Sequence, residues 1–570
     1  VHKSLKHISK LLFWRNTFAY YYILERNNRW QTFIIALVVT CYGCGDSGIG
    51  NKVSSLTGGK LHTDAMQSSI TAALADSNHA LWPKFTDSFY SRSQVQQLYK
   101  LSKGELLWLQ SSGINEQAER LLKQLAVADS HGISGKFFGL DSLKYEAKQI
   151  ESKGDQAAAS FELKLSHAYL RLVGAMTHGI FPTDSVREEW YSAVDSNINV
   201  PQLAYNLIDK DSIAYTCAAL APKQKEYTVL CKKLWELRAI QAKGGWQKFD
   251  MQSNDAYKLV EEANNKNLRK RLFVELGVPT DTISSSLDTA LLQAITKFQY
   301  LHDIKITGKI DTTTYNKLQL TAQDKINTIC NNLERMRWMQ NSYASPYVYV
   351  NVPQMYLEYR LEDSTAFRMR VVVGRVSRPT PTLDAPMKNI VFNPPWSVPP
   401  TIMEEEIIPG VSKRGSSYLA RRGLKAYLGG REVDASRINK SNYKMFTISQ
   451  KPGLNSSLGV VKFNLPNRHA IYLHDTPHRE DFVKQYRAFS SGCIRVHKPR
   501  DFAAFILNDS TYSRDNIDSI AKTRITKEVP LKQKLDVHIV YLTNGIDSAG
   551  NFMYLRDIYG QDKLMRGLWN

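Results

Sequence analysis

Cysteine is scarce in this chain, six residues among 570, which excludes a disulfide framework as the main support of the fold. Cys41 and Cys44 lie near the N-terminus. Cys217 and Cys231 could bridge in an oxidising compartment, which spacing alone does not decide. Cys330 and Cys493 are left over, and of these only Cys493 has polar chemistry around it. Acidic side chains are also in deficit, 54 against 74 Lys and Arg, for a net charge of +20. Such a balance points to an anionic partner: nucleic acid, a membrane surface or an acidic polymer. No nucleic-acid-binding motif accompanies the charge, and no nucleic-acid partner is expected. The apolar run Phe33-Ile-Ile-Ala-Leu-Val-Val39 is short for a free-standing transmembrane helix, which needs about 20 apolar residues.

Part of the basic excess is local. Lys3, Lys6, Lys10, Arg15, Arg26 and Arg29 against Glu25 give the first thirty residues +5. A basic stretch, a short apolar run and a small-residue exit to Gly50 describe a secretory signal, with a buried core helix as the other reading. Cys44, followed by Gly45-Asp46-Ser47, leaves a lipid-modified cysteine open, although Cys41 and Tyr42 fit poorly before such a site. Export is expected. Charge and apolar content, 22% and 43%, are those of a folded protein, and the length calls for about three or four domains.

Residues 1–50 read as signal or anchor and 51–80, rich in Ser, Thr, Gly and Ala, as a linker. Residues 81–265 read as a helical scaffold domain: Leu98, Leu101, Leu106, Leu107 and Leu109, then Leu121, Leu122 and Leu125, recur at roughly helical spacing. Residues 266–322 read as a compact helical unit. Leu291, Ala294, Ile295 and Phe298 share a helix face, Gly308 marks a turn, and Asp311 caps a second short helix closed by Leu318. From Tyr347 the texture is of strands, as in Tyr347–Val352, Phe367–Val373, Val460–Phe463, Ala470–His474 and Val537–Leu542. A basic, mostly helical insertion at about 400–450 interrupts them, with nine Lys and Arg against five Asp and Glu between Glu404 and Lys444. The fold class is multi-domain α+β, with a mainly-β domain over 323–570.

Within that domain Ser490-Ser-Gly-Cys493-Ile-Arg495-Val has the composition of a nucleophile site. Gly492 lets the backbone turn sharply and present the sulfur, and the amides of Gly492 and Cys493 are natural oxyanion donors. A free thiol titrates near 8.5, so it needs a base, and His474 at the end of an apolar strand supplies one. A backbone carbonyl at Asp475 can orient the second imidazole nitrogen. Arg495 can bind a substrate carboxylate bidentately, or pair with Asp475 or Asp481. His474-x3-His478 with Cys493-x3-His497 has the residue types of a zinc site. Pro477 prevents a regular helix through the first pair, however, and no metal or other cofactor is expected.

The stretch His474-Asp-Thr-Pro followed by Arg487-Ala-Phe-Ser-Ser-Gly-Cys493-Ile-Arg-Val resembles the active-site signature of bacterial L,D-transpeptidase catalytic domains. Supporting stretches occur in the same order: Asn332-Leu-Glu-Arg-Met-Arg-Trp338, Val350-Asn-Val-Pro353, Asn393-Pro-Pro-Trp-Ser-Val-Pro399, Pro452–Gly459 and Phe552–Gly560. The unit at 266–322 looks like the three-helix peptidoglycan-binding module of cell-wall enzymes. The whole layout is similar to the large periplasmic L,D-transpeptidases of Gram-negative bacteria.

The resemblance implies a 3→3 peptidoglycan cross-linking enzyme with Cys493 as nucleophile and His474 as general base and acid. D-Alanine leaves a tetrapeptide stem, and carbapenems acylate the thiol. Ser491 stands where many members carry a second histidine. Ser491, Arg495, Tyr472 and Trp396 are the expected substrate-binding residues, with packing as the competing role for the two aromatics. Peptidoglycan stems are the implied partner, with other cell-wall synthases and the inner membrane, through the N-terminus, as further ones. The rival functions are an L,D-carboxypeptidase that hydrolyses the same bond and a non-catalytic wall-binding scaffold.

Overall fold

The computed structural model describes residues 60–76, 79–82, 92–181, 198–208, 210–246, 262–277, 288–339, 342–362 and 364–566. The expected signal, with Phe33–Val39, Cys41 and Cys44, lies outside these residues.

Helix α1, Thr63–Ala75, falls where a linker was expected. Met66, Ile70 and Ala73 are buried; their i, i+4, i+7 spacing makes an apolar stripe that the surrounding Ser, Thr and Ala obscure. The indole of Trp82 donates to the carbonyl of Ala73 at 2.7 Å and fixes the helix end. The scaffold region is built on α2, Leu140–His178, a helical segment broken by a kink at Gly154, where φ is +78°. Leu106–Leu109, expected as helix, instead leads into a short hairpin strand, Leu109–Gln110. Glu162 of α2, fully buried, takes the main-chain N–H groups of Leu107 at 2.5 Å and Trp108 at 3.1 Å and holds that segment out of a helix. Cys217 and Cys231 are both free thiols.

Helices α3, Glu262–Leu276, α4, Thr289–Leu301, and α5, Thr312–Leu318, form a small unit around Leu272, Leu291, Phe298 and Leu318. Gln299 is its pin. Its amide oxygen accepts from the N–H groups of Thr307 and Gly308, and its amide nitrogen donates to the carbonyl of Lys309 and the hydroxyl of Thr314. One buried side chain thus fixes the turn between two helices.

Helix α6, Ala322–Arg337, joins the parts. Its Asn332 binds Thr543 and Asn544, and Arg335 pairs with Asp562 at 2.6 Å. On its other face Glu334 accepts from the N–H groups of Ile180 at 2.6 Å and Phe181 at 3.0 Å, and pairs with Arg337 at 2.6 Å. A Cβ at Gly179 would lie 2.3 Å from the Glu334 carboxylate, and φ there is +82°, so only glycine fits.

The last domain is a rolled sheet of β1, Tyr347–Asn351, β2, Tyr356–Leu361, β3, Ser364–Gly374, β4, Leu383–Phe392, and, beyond the insertion, β9, Val461–Asn464, β10, Leu473–His474, β11, Ala488–Ser490, β12, Ile494–Val496, and β13, Lys527–Val540. The strand order is β11-β3-β12-β10-β9-β4-β13-β1-β2, and pairing of β2 with β3 closes it. The insertion is not mostly helical. Its helical run, Pro400–Ile402, Met403–Ile407 (a π-turn) and Ile408–Arg414, packs on a sheet of β5, Trp396–Ser397, β6, Leu424–Leu428, β7, Arg431–Val433, and β8, Phe446–Gln450. Alternation of buried Leu424 and Ala426 with exposed Lys425 gives the strand period that the dense charge masks.

Glu334→Ala leaves the Arg337 guanidinium buried without its carboxylate, which is expected to cost about 3–5 kcal/mol. Glu116→Ala, which breaks the exposed Arg120–Glu116 pair, should cost under about 1 kcal/mol. Urea unfolding midpoints of the two variants check the difference.

Candidate active site

Strand pairing assembles the site. β10 runs parallel to β12 with Leu473 opposite Ile494 and His474 opposite Arg495. It runs antiparallel to β9 with Lys462 opposite His474. Side chains alternate faces along a strand. Leu473, Ile494 and Phe463 therefore fill the core, and Tyr472, His474, Cys493, Arg495 and Lys462 share the other face.

His474 is buried, and its Nδ1 lies 2.5 Å from the main-chain carbonyl of Asp475. A carbonyl only accepts, so Nδ1 carries the proton and Nε2 keeps a free lone pair. Burial, and then the Arg495 charge, lower its pKa to about 3, so the ring stays neutral at ordinary pH. The Asp475 side chain is occupied with structure. It accepts from the N–H groups of Val460 at 2.9 Å and Thr476 at 2.7 Å and pairs with Arg479 at 2.5 Å, which fixes the carbonyl that orients the histidine.

Cys493 is half-buried at the tip of a tight bend. Gly492 sits at φ +109°, a conformation that L side chains rarely adopt. The Ser490 hydroxyl donates to the carbonyl of Cys493 at 2.5 Å and accepts the Gly492 N–H at 3.2 Å. The Gly492 amide, expected as an oxyanion donor, is hydrogen-bonded to the Ser490 hydroxyl inside the bend. The Cys493 amide is the donor left for an oxyanion. Thr380, on the β3–β4 connection, donates to the Gly492 carbonyl at 2.7 Å, and the Arg375 N–H donates to the Ser490 carbonyl at 2.9 Å. This connection braces the bend from behind.

The Cys493 thiol contacts the carbonyl of Ala470 at 3.7 Å. Tyr472 and Trp396 line the same cavity as Cys493, which brings the start of the insertion to the thiol. Burial pushes the thiol pKa above its ordinary value, while Tyr472, Lys462 and Arg495 pull it down. Arg495 is ion-paired with Asp481 at 3.2 Å; of the two expected roles, this is the one in place.

Trp396, Tyr472, His474, Ser491, Cys493 and Arg495 all line one cavity of about 730 Å³. Its other wall is the insertion, through Glu406, Tyr418, Arg421 and Arg422. Arg378 ties the walls together: it donates to the Ser491 hydroxyl at 3.0 Å and pairs with Glu405 and with Glu406 at 3.2 Å. Sequence reasoning passed over Arg378, Thr380, Ser490 and Lys462. Arg378 and Thr380 flank Pro379, which reads only as a strand breaker, and Lys462 reads only as a strand residue.

Ser490→Ala removes both bonds that shape the bend. Leaving the Gly492 N–H unpaired costs about 1–3 kcal/mol, and iodoacetamide should label Cys493 on the order of tenfold more slowly at one pH, since labelling follows thiolate content and access. Ser491→Ala, at an exposed residue, should leave thermal stability unchanged. Peptide mass spectrometry and melting curves check both.

Residues 345–523 match the family described as the L,D-transpeptidase catalytic domain, and residues 93–234 match the family described as a scaffold domain. A Haemophilus influenzae protein named "Putative L,D-transpeptidase" is 33% identical over 239 residues, covering 41% of this chain and 47% of that protein. The chain thus spans about half the length of this curated relative. The chain carries a scaffold domain followed by an L,D-transpeptidase catalytic domain.

Proposed function

We propose that the protein forms 3→3 cross-links in peptidoglycan by cysteine acyl transfer. The observation that carries this reading is the placement of His474 on β10 and of Cys493 in the bend that leads directly into β12, its parallel neighbour. Both face one cavity, and the histidine is fixed by the Asp475 carbonyl in the tautomer that frees Nε2.

In the first step the Cys493 proton passes to His474 Nε2, and the sulfur attacks the carbonyl joining the third, diaminopimelate-type residue of a tetrapeptide stem to its terminal D-alanine. The oxyanion meets the Cys493 N–H and the Tyr472 hydroxyl. The carbon–nitrogen bond breaks, D-alanine leaves with the proton from His474, and a thioester remains. In the second step the side-chain amine of a neighbouring stem gives a proton to His474 and attacks the thioester. The sulfur leaves and regains that proton, closing the cycle.

The small unit of α3, α4 and α5 supports attachment to the wall as a peptidoglycan-binding module. A peptidoglycan substrate supports a periplasmic location, with the basic, apolar N-terminal stretch as the export signal.

Tetrapeptide muropeptides incubated with the purified protein should yield diaminopimelate-linked dimers and free D-alanine, and none with Cys493→Ala. Tripeptides without dimers make the protein a carboxypeptidase instead; no product at all rejects both activities and leaves the wall-binding scaffold.

The pH dependence follows from the two shifted groups. His474 titrates at about 3, so it remains a neutral base throughout mild acid. The raised thiol loses its proton only as pH climbs. Carbapenem acylation should therefore rise by about one decade per pH unit through the neutral range. No further drop from histidine protonation should appear between about pH 5 and 7. A mass-resolved time course at several pH values checks this.

A further inference from the structure

Lys462 lies on β9 between Val461 and Phe463, both fully buried. The ladders set it in a row that crosses the sheet: Glu528 opposite Val391, Val391 opposite Lys462, Lys462 opposite His474, and His474 opposite Arg495. A half-buried ammonium is normally matched by a carboxylate, because burying an unpaired charge is costly. Here no hydrogen bond or ion pair takes up its Nζ among the described residues. Arg495, by contrast, has Asp481, and the Glu528 carboxylate accepts from the Asn389 amide.

The ammonium of Lys462 instead stands 4.3 Å from the ring centroid of Tyr472, a cation–π contact that fixes its position. That ring lines the cavity together with Cys493, on the face of the sheet that carries Lys462, His474 and Arg495. The cation is thus held on the same face as the Cys493 sulfur, close enough to act on it electrostatically.

We propose that Lys462 is the fixed counter-charge of the Cys493 thiolate, a positioning residue that acts through the nucleophile; the proposal rests on Cys493 being the reactive thiol. Lys462 and Arg495 flank His474 in the row, so the same charges that favour the thiolate disfavour an imidazolium. The proton taken from the thiol is thereby held loosely on His474 and passes readily to the leaving amine. From the sheet, the charged and titratable groups facing the thiol are Lys462, Arg495, His474 and Tyr472. From the insertion and the loop after β10 they are Glu406, Arg421, Arg422 and His478, which line the cavity. Among the described residues Lys462 makes no close ion pair; Glu528, two strands away, acts on it only at longer range.

The test uses the full chain as Lys462→Met and Lys462→Arg. The pH dependence of Cys493 alkylation by iodoacetamide is followed on its own peptide, which separates it from the other cysteines. Lys462→Met should move the midpoint up by about one pH unit, on the order of tenfold slower labelling at neutral pH. Lys462→Arg should stay near the unsubstituted protein. The His474 ring titration, read by NMR, should move up in Lys462→Met, because a flanking cation has gone. Superimposed alkylation profiles in folded protein overturn the proposal. If Lys462→Met does not fold, Lys462→Gln carries the same comparison, and an Arg variant that shifts as far as the neutral one also overturns it. A shifted profile in a protein that carbapenems do not acylate leaves the counter-charge standing and rejects the transpeptidase reading.

Discussion

The parallel pairing of β10 with β12 is the constraint on which the site depends. Its register sets Leu473 beside Ile494 in the core and leaves Tyr472, His474, Cys493 and Arg495 on the opposite face. A one-residue slip would exchange the two sets, putting the histidine into the apolar core and leucine and isoleucine into the cavity. The burial of Leu473 and Ile494, both fully enclosed, therefore stabilises the fold and aligns His474 with Cys493 at once. What remains flexible in such a pair is the bend before β12, and Ser490, Thr380 and the Arg375 amide restrain it.

A second theme is the use of single buried acceptors to fasten separate parts of the chain. Glu162 takes the N–H groups of Leu107 and Trp108 within the scaffold region. Glu334 takes those of Ile180 and Phe181 between that region and α6. Gln299 sets the turn of the three-helix unit, and Asp475 fixes the segment that carries the orienting carbonyl. Each satisfies backbone groups that burial would otherwise leave unpaired. The stretch Asn332–Trp338 thereby has a physical explanation: its Asn, Glu and two Arg side chains join the scaffold region to the transpeptidase domain.

The neighbourhood of Cys493 and His474 and the carbonyl that holds the imidazole were legible in the sequence because they lie close together along the chain. The strand texture and the helix around Phe298 were legible from periodicity. The braces were not. Arg378, Thr380 and Lys462 come from other strands and connections, and only the closed sheet brings them to Cys493. The bond from the Gly492 N–H to Ser490 was hidden for a related reason: a sharp turn at glycine says that N–H groups are concentrated there, not which partners the bend gives them. Composition concealed α1, whose three apolar contacts sit among Ser and Thr, and charge concealed the strands of the insertion. In both cases a few core positions decide the fold while the bulk of the residues face solvent.

The proposed function turns on Cys493 being an acyl-accepting thiol in the shared cavity, and intact mass after incubation with a carbapenem tests it most directly. One adduct, mapped to Cys493 and absent from Cys493→Ala, is the predicted result. A protein that stays unmodified while folded, or an adduct that survives in Cys493→Ala, contradicts the account.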